Sequence, residues 1–290
     1  MLARLTMIFA AVLLCAGSGT QKVQRAGLVP HQQPNQRSGQ PIGDNHQELA
    51  FGTSTLSVIT DPEEAPDANA GLYIPRVHVN GAARFRAARN LDFGVLWDHG
   101  LDRGSKAIQS GQPEVDNGDV FGGGLTMHYS AAAGDDVNIG IGIDMMLYSI
   151  PYVEYTSCID PPCFPEFDSV ERDRDTTPVV AVGLTPSWKL SPEIAAFGGI
   201  TARNHPTIPR VSIETPGLGD DDPVEAGPLN FIANAGVEYT LANGMRAMVH
   251  VFQPLFADPV RYGPTFGAQF AIPLGRDKPA DAPLMAPAGQ

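Results

Sequence analysis

Positive charge is scarce in this chain of 290 residues. Lysine occurs only four times, and charged residues make up 18% of the sequence, against about 25% in a typical soluble domain. Asp and Glu outnumber Lys and Arg by 32 to 19, so the formal net charge is −13. Binding to nucleic acid phosphates needs clustered Lys and Arg side chains. The sequence has no such cluster, which excludes nucleic acid as a partner.

Long hydrophobic runs are missing as well. No apolar stretch approaches the roughly 20 residues that a membrane-spanning helix needs. Gly (31 residues) and Pro (26 residues) interrupt the chain throughout, and both disfavour helix interiors. A polytopic helical membrane protein and a coiled coil are therefore excluded, and an all-β chain with many turns is favoured.

The first residues have the order of an export signal. Arg4 precedes an apolar run from Leu5 to Ala16 that only Thr6 interrupts, and small residues follow at positions 17–19. A positive start, a short apolar core and small residues at its end are typical of a secretory signal peptide. We therefore predict that residues 1–19 form a signal peptide and that the protein is exported.

The three cysteines fit an exported protein. Cys158 and Cys163 are close enough in sequence to close a small disulfide loop in an oxidising compartment. Cys15 lies in the run Val-Leu-Leu-Cys-Ala-Gly at positions 12–17, which resembles the bacterial lipobox. The resemblance implies that Cys15 becomes a lipid-modified first residue. Cleavage after Ser18, which removes Cys15 with the signal, is the alternative.

Alternating apolar and polar residues predict strands. Between Val137 and Tyr148 every odd position is apolar, a period of two that indicates a strand with one apolar face. The same parity recurs at residues 73–86, 91–98, 121–130 and 230–240. Each of these stretches is therefore predicted as a strand with one polar face.

The connections between the predicted strands alternate in length. Short turns are predicted near residues 87–90, 132–136, 189–192 and 241–244. Longer polar connections are predicted at residues 60–71, 100–119, 156–177 and 204–228, with a medium one near 257–263. Short periplasmic turns that alternate with long external loops are typical of outer-membrane β-barrels.

Residues 48–274 thus resemble the outer-membrane β-barrels in architecture. The resemblance implies an antiparallel up-and-down transmembrane barrel of about ten strands, with eight and twelve as alternatives because Pro186 interrupts one strand. It implies a bacterial outer-membrane location and contacts with outer-membrane lipids and lipopolysaccharide. The last strand, Phe266 to Ile272, resembles the signal that the barrel-assembly machinery reads, which implies that machinery as a partner.

Two segments flank the predicted barrel. Residues 20–47 are polar, rich in Gln, Asn, Pro and Gly, and have no periodicity, so they are predicted as a disordered periplasmic linker. Residues 275–290 are rich in Ala and Pro and are predicted as a disordered tail.

Charged residues and histidines on the polar faces are predicted to point into the barrel lumen. They are Arg76, His78, Arg84, Arg86, Asp92, His128, Asp144, Glu238, Arg246 and His250. A ten-stranded barrel is little wider than the eight-stranded type that side chains fill, so a packed, salt-bridged lumen is predicted. A narrow arginine-lined pore for small solutes or ions is the alternative. No metal-ligand spacing links the histidines, and no metal or other cofactor is predicted.

One short run suggests an enzyme. His128-Tyr129-Ser130 is similar to the His-x-Ser signature of the lipid A 3-O-deacylase barrels, although Ala131 stands where that family has an asparagine. The resemblance implies that Ser130 attacks an acyl ester and that His128 accepts its proton. We favour a non-enzymatic structural, surface-binding or narrow porin-like role. A lipid or ester hydrolase and a secreted soluble β-sandwich that binds a ligand are the alternatives.

Overall fold

The computed structural model describes twelve parts of the chain, and the following statements concern these parts. They are residues 21–28, 30, 33, 37–42, 47–56, 59–60, 70–101, 106–107, 118–158, 171–204, 229–255 and 261–274. Every regular element in them is a β-strand. They contain no helix that is long and apolar enough to cross a bilayer.

Ten strands form a closed barrel wall. They are β1 (Gln47–Leu56), β2 (Val77–Ala88), β3 (Leu91–Leu101), β4 (Val120–Ala132), β5 (Val137–Cys158), β6 (Glu171–Lys189), β7 (Ile194–Asn204), β8 (Leu229–Thr240), β9 (Arg246–Pro254) and β10 (Thr265–Pro273). Each strand pairs antiparallel with its neighbours in the sequence, and β10 pairs with β1 to close the ring. The predicted fold class, an antiparallel up-and-down barrel of ten strands, is confirmed.

The two ends of the barrel differ in their connections. Four connections of five residues or fewer, such as Arg89–Asn90 between β2 and β3, lie at one end, which we call the turn end. The turn between β8 and β9 uses Gly244 at a φ of 81°, a conformation that glycine adopts without steric cost. The long connections lie at the opposite end, which we call the loop end. The predicted alternation of loop lengths is therefore present in the wall.

Pro186 interrupts pairing without ending its strand. Strand β6 continues through this residue and pairs with β5 along its length. The β6–β7 register has a gap at Thr185 and Pro186, which fits the missing N–H donor of proline. The predicted alternatives of eight or twelve strands are excluded.

The wall is apolar outside and polar inside. Outward side chains such as Phe51, Val95, Leu125 and Leu147 are about half exposed. Among the described residues, 23 buried side chains are polar or charged and 16 are hydrophobic. A soluble β-sandwich buries its apolar faces between two sheets, so the sandwich alternative is wrong.

Part of the predicted linker lies inside the barrel. Of residues 20–47, Gln33, Arg37, Ser38 and Ile42 are each at most 5% exposed, and residues 21–28 form a strand. This differs from the disordered linker predicted from composition. The reason is physical: a polar, aperiodic segment suits a polar lumen as well as it suits solvent, so composition does not separate the two. We call Gln33 and residues 37–42, the part of this stretch that the structure describes, the plug.

The strand Gln21–Leu28 extends the sheet of the barrel wall at the loop end. It pairs antiparallel with the last part of β5, from Tyr152 to Cys158, and parallel with Ala70–Ile74. Residues 1–19 and 275–290 and Cys163 lie outside the described residues. The signal peptide, lipidation at Cys15, the tail and the Cys158–Cys163 disulfide therefore stay predictions.

Candidate functional site in the barrel lumen

Charged side chains from four strands form a cluster in the turn-end half of the lumen. Arg84 Nη1 donates to Glu48 Oε1 at 2.9 Å. Arg246 contacts the same carboxylate and lies 3.5 Å from Glu238 through Nη1 and Oε1. Strands β1, β2, β8 and β9 carry these residues at inward positions. Buried carboxylates and guanidiniums are here paired with each other, as buried charges require.

The plug completes this cluster. Arg37 Nη2 donates to Asp92 Oδ2 at 2.9 Å, and both side chains are at most 4% exposed. Ser38 Oγ donates to Glu238 Oε2 at 2.8 Å. The backbone N–H of Ile42 also points at Asp92 Oδ2, at 3.4 Å. Asp92 therefore depends on the plug for its close hydrogen bonds, since the Nε of Arg86 lies 4.0 Å away.

The plug also contacts the opposite wall. Gln40 Nε2 donates to Ser187 Oγ at 3.2 Å, and Asn138 Nδ2 donates to Gln40 Oε1 at 3.0 Å. Gly39 packs so closely against β6 that an added Cβ would collide with the backbone oxygen of Thr185. A residue without a side chain is therefore needed at position 39 for the plug to lie where it does.

A second cluster occupies the loop-end half of the lumen. Its centre is Asp98, whose carboxylate lies 3.0 Å from His78 Nδ1 and accepts a hydrogen bond from the Tyr148 hydroxyl at 3.0 Å. Gln33 of the plug donates to Asp98 at 3.2 Å. Arg203 donates to the Gln33 carbonyl at 3.1 Å and to the Tyr148 hydroxyl at 3.3 Å. The plug is thus held at both ends of its described part.

Charges of the two signs balance in the described lumen. The wall contributes five carboxylates and four guanidiniums, and the plug contributes the fifth guanidinium, that of Arg37. The carboxylates belong to Glu48, Asp92, Asp98, Asp144 and Glu238, and the wall guanidiniums to Arg84, Arg86, Arg203 and Arg246. Removal of the plug would leave the wall one positive charge short.

A small cavity separates the two clusters. Its volume is about 60 Å³, and its lining includes Asn80, Asp144 and Gln269. Since a water needs roughly 10–15 Å³ by this kind of measure, the cavity has room for a few waters. The buried Oδ1 of Asp144 has no protein hydrogen-bond partner, and water in this cavity would satisfy it. The cavity is too small to pass a solute.

The structure brings most of the predicted lumen residues together. Arg84, Arg86, Asp92, Glu238 and Arg246 form the turn-end cluster. His78 belongs to the loop-end cluster, and Asp144 lies between the two. The prediction for Arg76 was wrong, because this residue is exposed in the bend before β2. The strand begins one residue later, at Val77, so the alternation does not extend to Arg76. His250 is buried against the ring of Phe252, with centroids 5.5 Å apart.

Ser130 and His128 are hydrogen-bonded but buried. The Oγ and Nδ1 atoms lie 3.2 Å apart, and both residues are at most 4% exposed. An added Cβ at Gly140 would collide with the His128 ring and with Gly39 of the plug, so the ring lies under the plug. Among the described residues no carboxylate is hydrogen-bonded to His128. The pair lacks both an orienting acid and access for an acyl chain.

Sequence reasoning missed the plug and much of the loop-end cluster. Asp98 shares the parity of Asp92 on β3, a signal that could have placed it in the lumen. Tyr148 shares the parity of Asp144 on β5 in the same way. Arg203 ends a strand that alternates poorly, and the plug has no periodicity, so neither gives such a signal.

In the described parts of the chain no group of three or more His, Cys, Asp or Glu side chains is arranged to hold a metal ion.

Of the comparisons with known proteins, the one with solved structures finds similar chains. No family model matches the sequence, and no curated protein matches it. The chain is similar to Neisserial surface protein A, with 10% identity over 79% of this chain and 97% of that one and a TM-score of 0.32. It is similar to the N-terminal β-barrel domain of Pseudomonas aeruginosa OprF, with 7% identity, 78% and 97% coverage and a TM-score of 0.31. An outer membrane channel from Pseudomonas putida F1 gives 9% identity, 83% and 99% coverage and a TM-score of 0.38.

Proposed function

We propose that this protein is a structural barrel of the bacterial outer membrane whose lumen is closed by its own plug, so that it does not conduct solutes at rest. The observation that carries the proposal is the buried contact between Arg37 of the plug and Asp92 of β3, at 2.9 Å. Because Arg37 and its neighbour Ser38 are buried against β3 and β8, the plug occupies the path that a solute would take.

The outer face supports insertion into a membrane. Exposed aromatic residues lie at two levels, with Phe121 and Phe231 at the loop end of their strands and Tyr129 and Tyr239 at the turn end. The two residues of each strand are eight positions apart, which is about 26 Å along the strand and about 20 Å along the membrane normal at the usual tilt of roughly 35–45°. Outer-membrane barrels have an apolar band about 25 Å tall between two aromatic girdles. The band would contact outer-membrane lipids.

The narrow cavity in the middle of the lumen supports a closed lumen over an open pore. The cavity between the two clusters is about 60 Å³. A wider cavity of about 320 Å³ lies at the turn end, where Gln40 and Ile42 of the plug form part of its lining. A narrow porin-like role would therefore require the plug to leave.

Hydrolysis is not supported by the same geometry. The Ser130–His128 pair is buried beneath Gly39, whereas a serine nucleophile must reach an acyl ester. Any catalytic role would also require the plug to leave.

Conductance in planar bilayers tests the proposal. We expect the full-length protein to give almost no channel openings, and a variant that lacks residues 30–42 to give frequent ones. A heat-modifiable gel shift serves as the control that both proteins are folded barrels. Equal steady conductance from both proteins would contradict the proposal.

A further inference from the structure

The plug runs along the lumen in a defined direction. Gln33 contacts Asp98, near the loop end of β3, whereas Arg37 and Ile42 contact Asp92, near its turn end. The two carboxylates are six residues apart on one strand, which is about 20 Å. The described residues of the plug therefore lie in order along the lumen, with Gln33 toward the loop end and residues 37–42 gathered around Asp92 toward the turn end.

The chain on either side of the plug lies at opposite ends of the barrel. After the plug the chain enters β1 at Gln47, at the turn end, where the backbone N–H of Leu274 donates to the Gln47 carbonyl at 2.9 Å. Before the plug, the strand Gln21–Leu28 pairs with the last residues of β5, at the loop end. The chain thus enters the lumen at one mouth and leaves it at the other.

The length of chain between the two mouths suffices for a crossing. Nineteen residue steps separate Leu28, at the loop end, from Gln47, at the turn end, and they could reach up to about 60 Å. The apolar band of an outer-membrane barrel is about 25 Å tall.

We propose that the barrel carries its own N-terminal segment across the membrane and displays the residues that precede the plug on the side of the long loops. The C-terminal residues, which follow β10, lie on the side of the turns. In an outer membrane the long loops face the outside, so the N-terminal segment faces the outside and the C-terminus the periplasm. This inference goes beyond the structural role, since a plug can close the lumen without emerging from the far mouth.

Epitope accessibility on intact cells tests the inference. The full chain receives one epitope between Thr20 and Gln21 and a second after Gln290. Matched controls carry the epitope in the β7–β8 connection, at the loop end, or at Gly134, in the exposed turn between β4 and β5. Antibody binding is measured before and after permeabilisation of the outer membrane, on protein that a denaturing blot shows to retain the epitopes.

We expect the N-terminal and loop epitopes to bind antibody on intact cells, and the C-terminal and turn epitopes to bind it only after permeabilisation. The inference is overturned if the N-terminal epitope needs permeabilisation while the loop epitope does not. It is also overturned if the N-terminal and C-terminal epitopes are both reachable on intact cells while the turn epitope is not, because the two ends of the chain would then share one side. Neither result decides whether the lumen is closed, which the conductance test measures separately.

A crosslink shows whether the displayed segment passes through the lumen. One variant carries Gln40→Cys and Ser187→Cys together with Cys158→Ser and Cys163→Ser. Gln40 Nε2 and Ser187 Oγ lie 3.2 Å apart, so the two new thiols are within reach of a short crosslinker with two thiol-reactive electrophiles. The pair Gln40→Cys and Leu147→Cys is the control, because Leu147 is exposed on the outer face. We expect the first pair alone to crosslink, with the N-terminal epitope still reachable on intact cells. Loss of epitope accessibility in the crosslinked protein would refute passage through the lumen.

Discussion

The two halves of the lumen hold the plug by different chemistry. At the turn end the contacts join full charges, with Arg37 against Asp92 and arginines against Glu48 and Glu238. At the loop end Asp98 receives hydrogen bonds from Tyr148 and Gln33, and Arg203 reaches the plug through a backbone carbonyl. Among the described plug residues, the one with a charged side chain is Arg37, and it lies in the turn-end half of the lumen.

Because of this difference, the two halves should contribute unequal free energies to holding the plug in the lumen. Removal of one partner from a buried ion pair leaves an uncompensated charge and costs about 3–5 kcal/mol. Loss of a hydrogen bond between a charged and a neutral group, such as those at the loop end, costs about 1.5–3 kcal/mol. The turn-end cluster should therefore decide whether the plug stays in the lumen, and the loop-end cluster should decide how its outer part is positioned.

Arg37→Ala should have the largest effect. It leaves the buried Asp92 facing Arg86 at 4.0 Å in place of Arg37 at 2.9 Å, and the expected cost is about 3 kcal/mol, the lower end of the range for a broken buried ion pair. The plug should leave the lumen in a large share of molecules, and channel openings should become frequent in planar bilayers while the heat-modifiable gel shift persists.

A double variant shows whether the plug is held by the charges of the Arg37–Asp92 pair or by the packing of their side chains. Arg37→Met with Asp92→Asn removes both charges and keeps similar volumes, and such replacements are often neutral or stabilising. It should therefore conduct far less than Arg37→Ala. If the two variants conduct equally, the ion pair does not hold the plug.

Gly39→Val should rank next. A side chain at residue 39 would collide with the backbone of β6 at Thr185 and with Ser187 Oγ, and overpacking typically costs about 1–3 kcal/mol. We expect a severalfold lower yield of the Gln40–Ser187 crosslink. Gly134→Val is the matched control, because an added Cβ there meets nothing within 4 Å, and it should leave the yield unchanged.

Asp98→Asn tests the loop-end half. The amide keeps one acceptor oxygen for Tyr148 or Gln33 but removes the charge opposite Arg203. We expect a loss of about 1.5 kcal/mol, the lower end of the range for hydrogen bonds to charged groups, because the amide keeps an acceptor. The temperature at which the heat-modifiable form unfolds should fall by less than for Arg37→Ala. A larger fall would reverse the proposed ranking of the two halves.

The wall could be predicted from the sequence because its signal is periodic. Alternation at residues 137–148 and the alternating loop lengths follow from strands that separate lipid from a polar interior. Arg84, Asp92 and Glu238 were placed in the lumen by parity alone. Arg76 was misplaced by the same rule, because parity does not mark where a strand begins.

The plug could not be predicted in this way. Gln33, Arg37 and Ser38 make their contacts with residues 55 to 200 positions away in the sequence, so no local pattern identifies them. A segment inside a polar lumen needs polar side chains, as a solvated segment does. The charge balance of the wall, with one carboxylate in excess, is the one feature that indicates a missing cation, and it requires the barrel topology first.

Ser130→Ala should have the smallest effect, because Ser130 lies outside both clusters. Ser130 and His128 lie on β4 and contact the plug only through the ring that faces Gly39, so the loss is one buried hydrogen bond, about 1 kcal/mol. Conductance and crosslink yield should match those of the parent protein. Any esterase activity of the purified protein should be the same in parent and variant, because the hydroxyl is covered. A loss of esterase activity in Ser130→Ala would show instead that the plug opens often enough for a substrate to reach the pair, and the lumen would then be a gated active site.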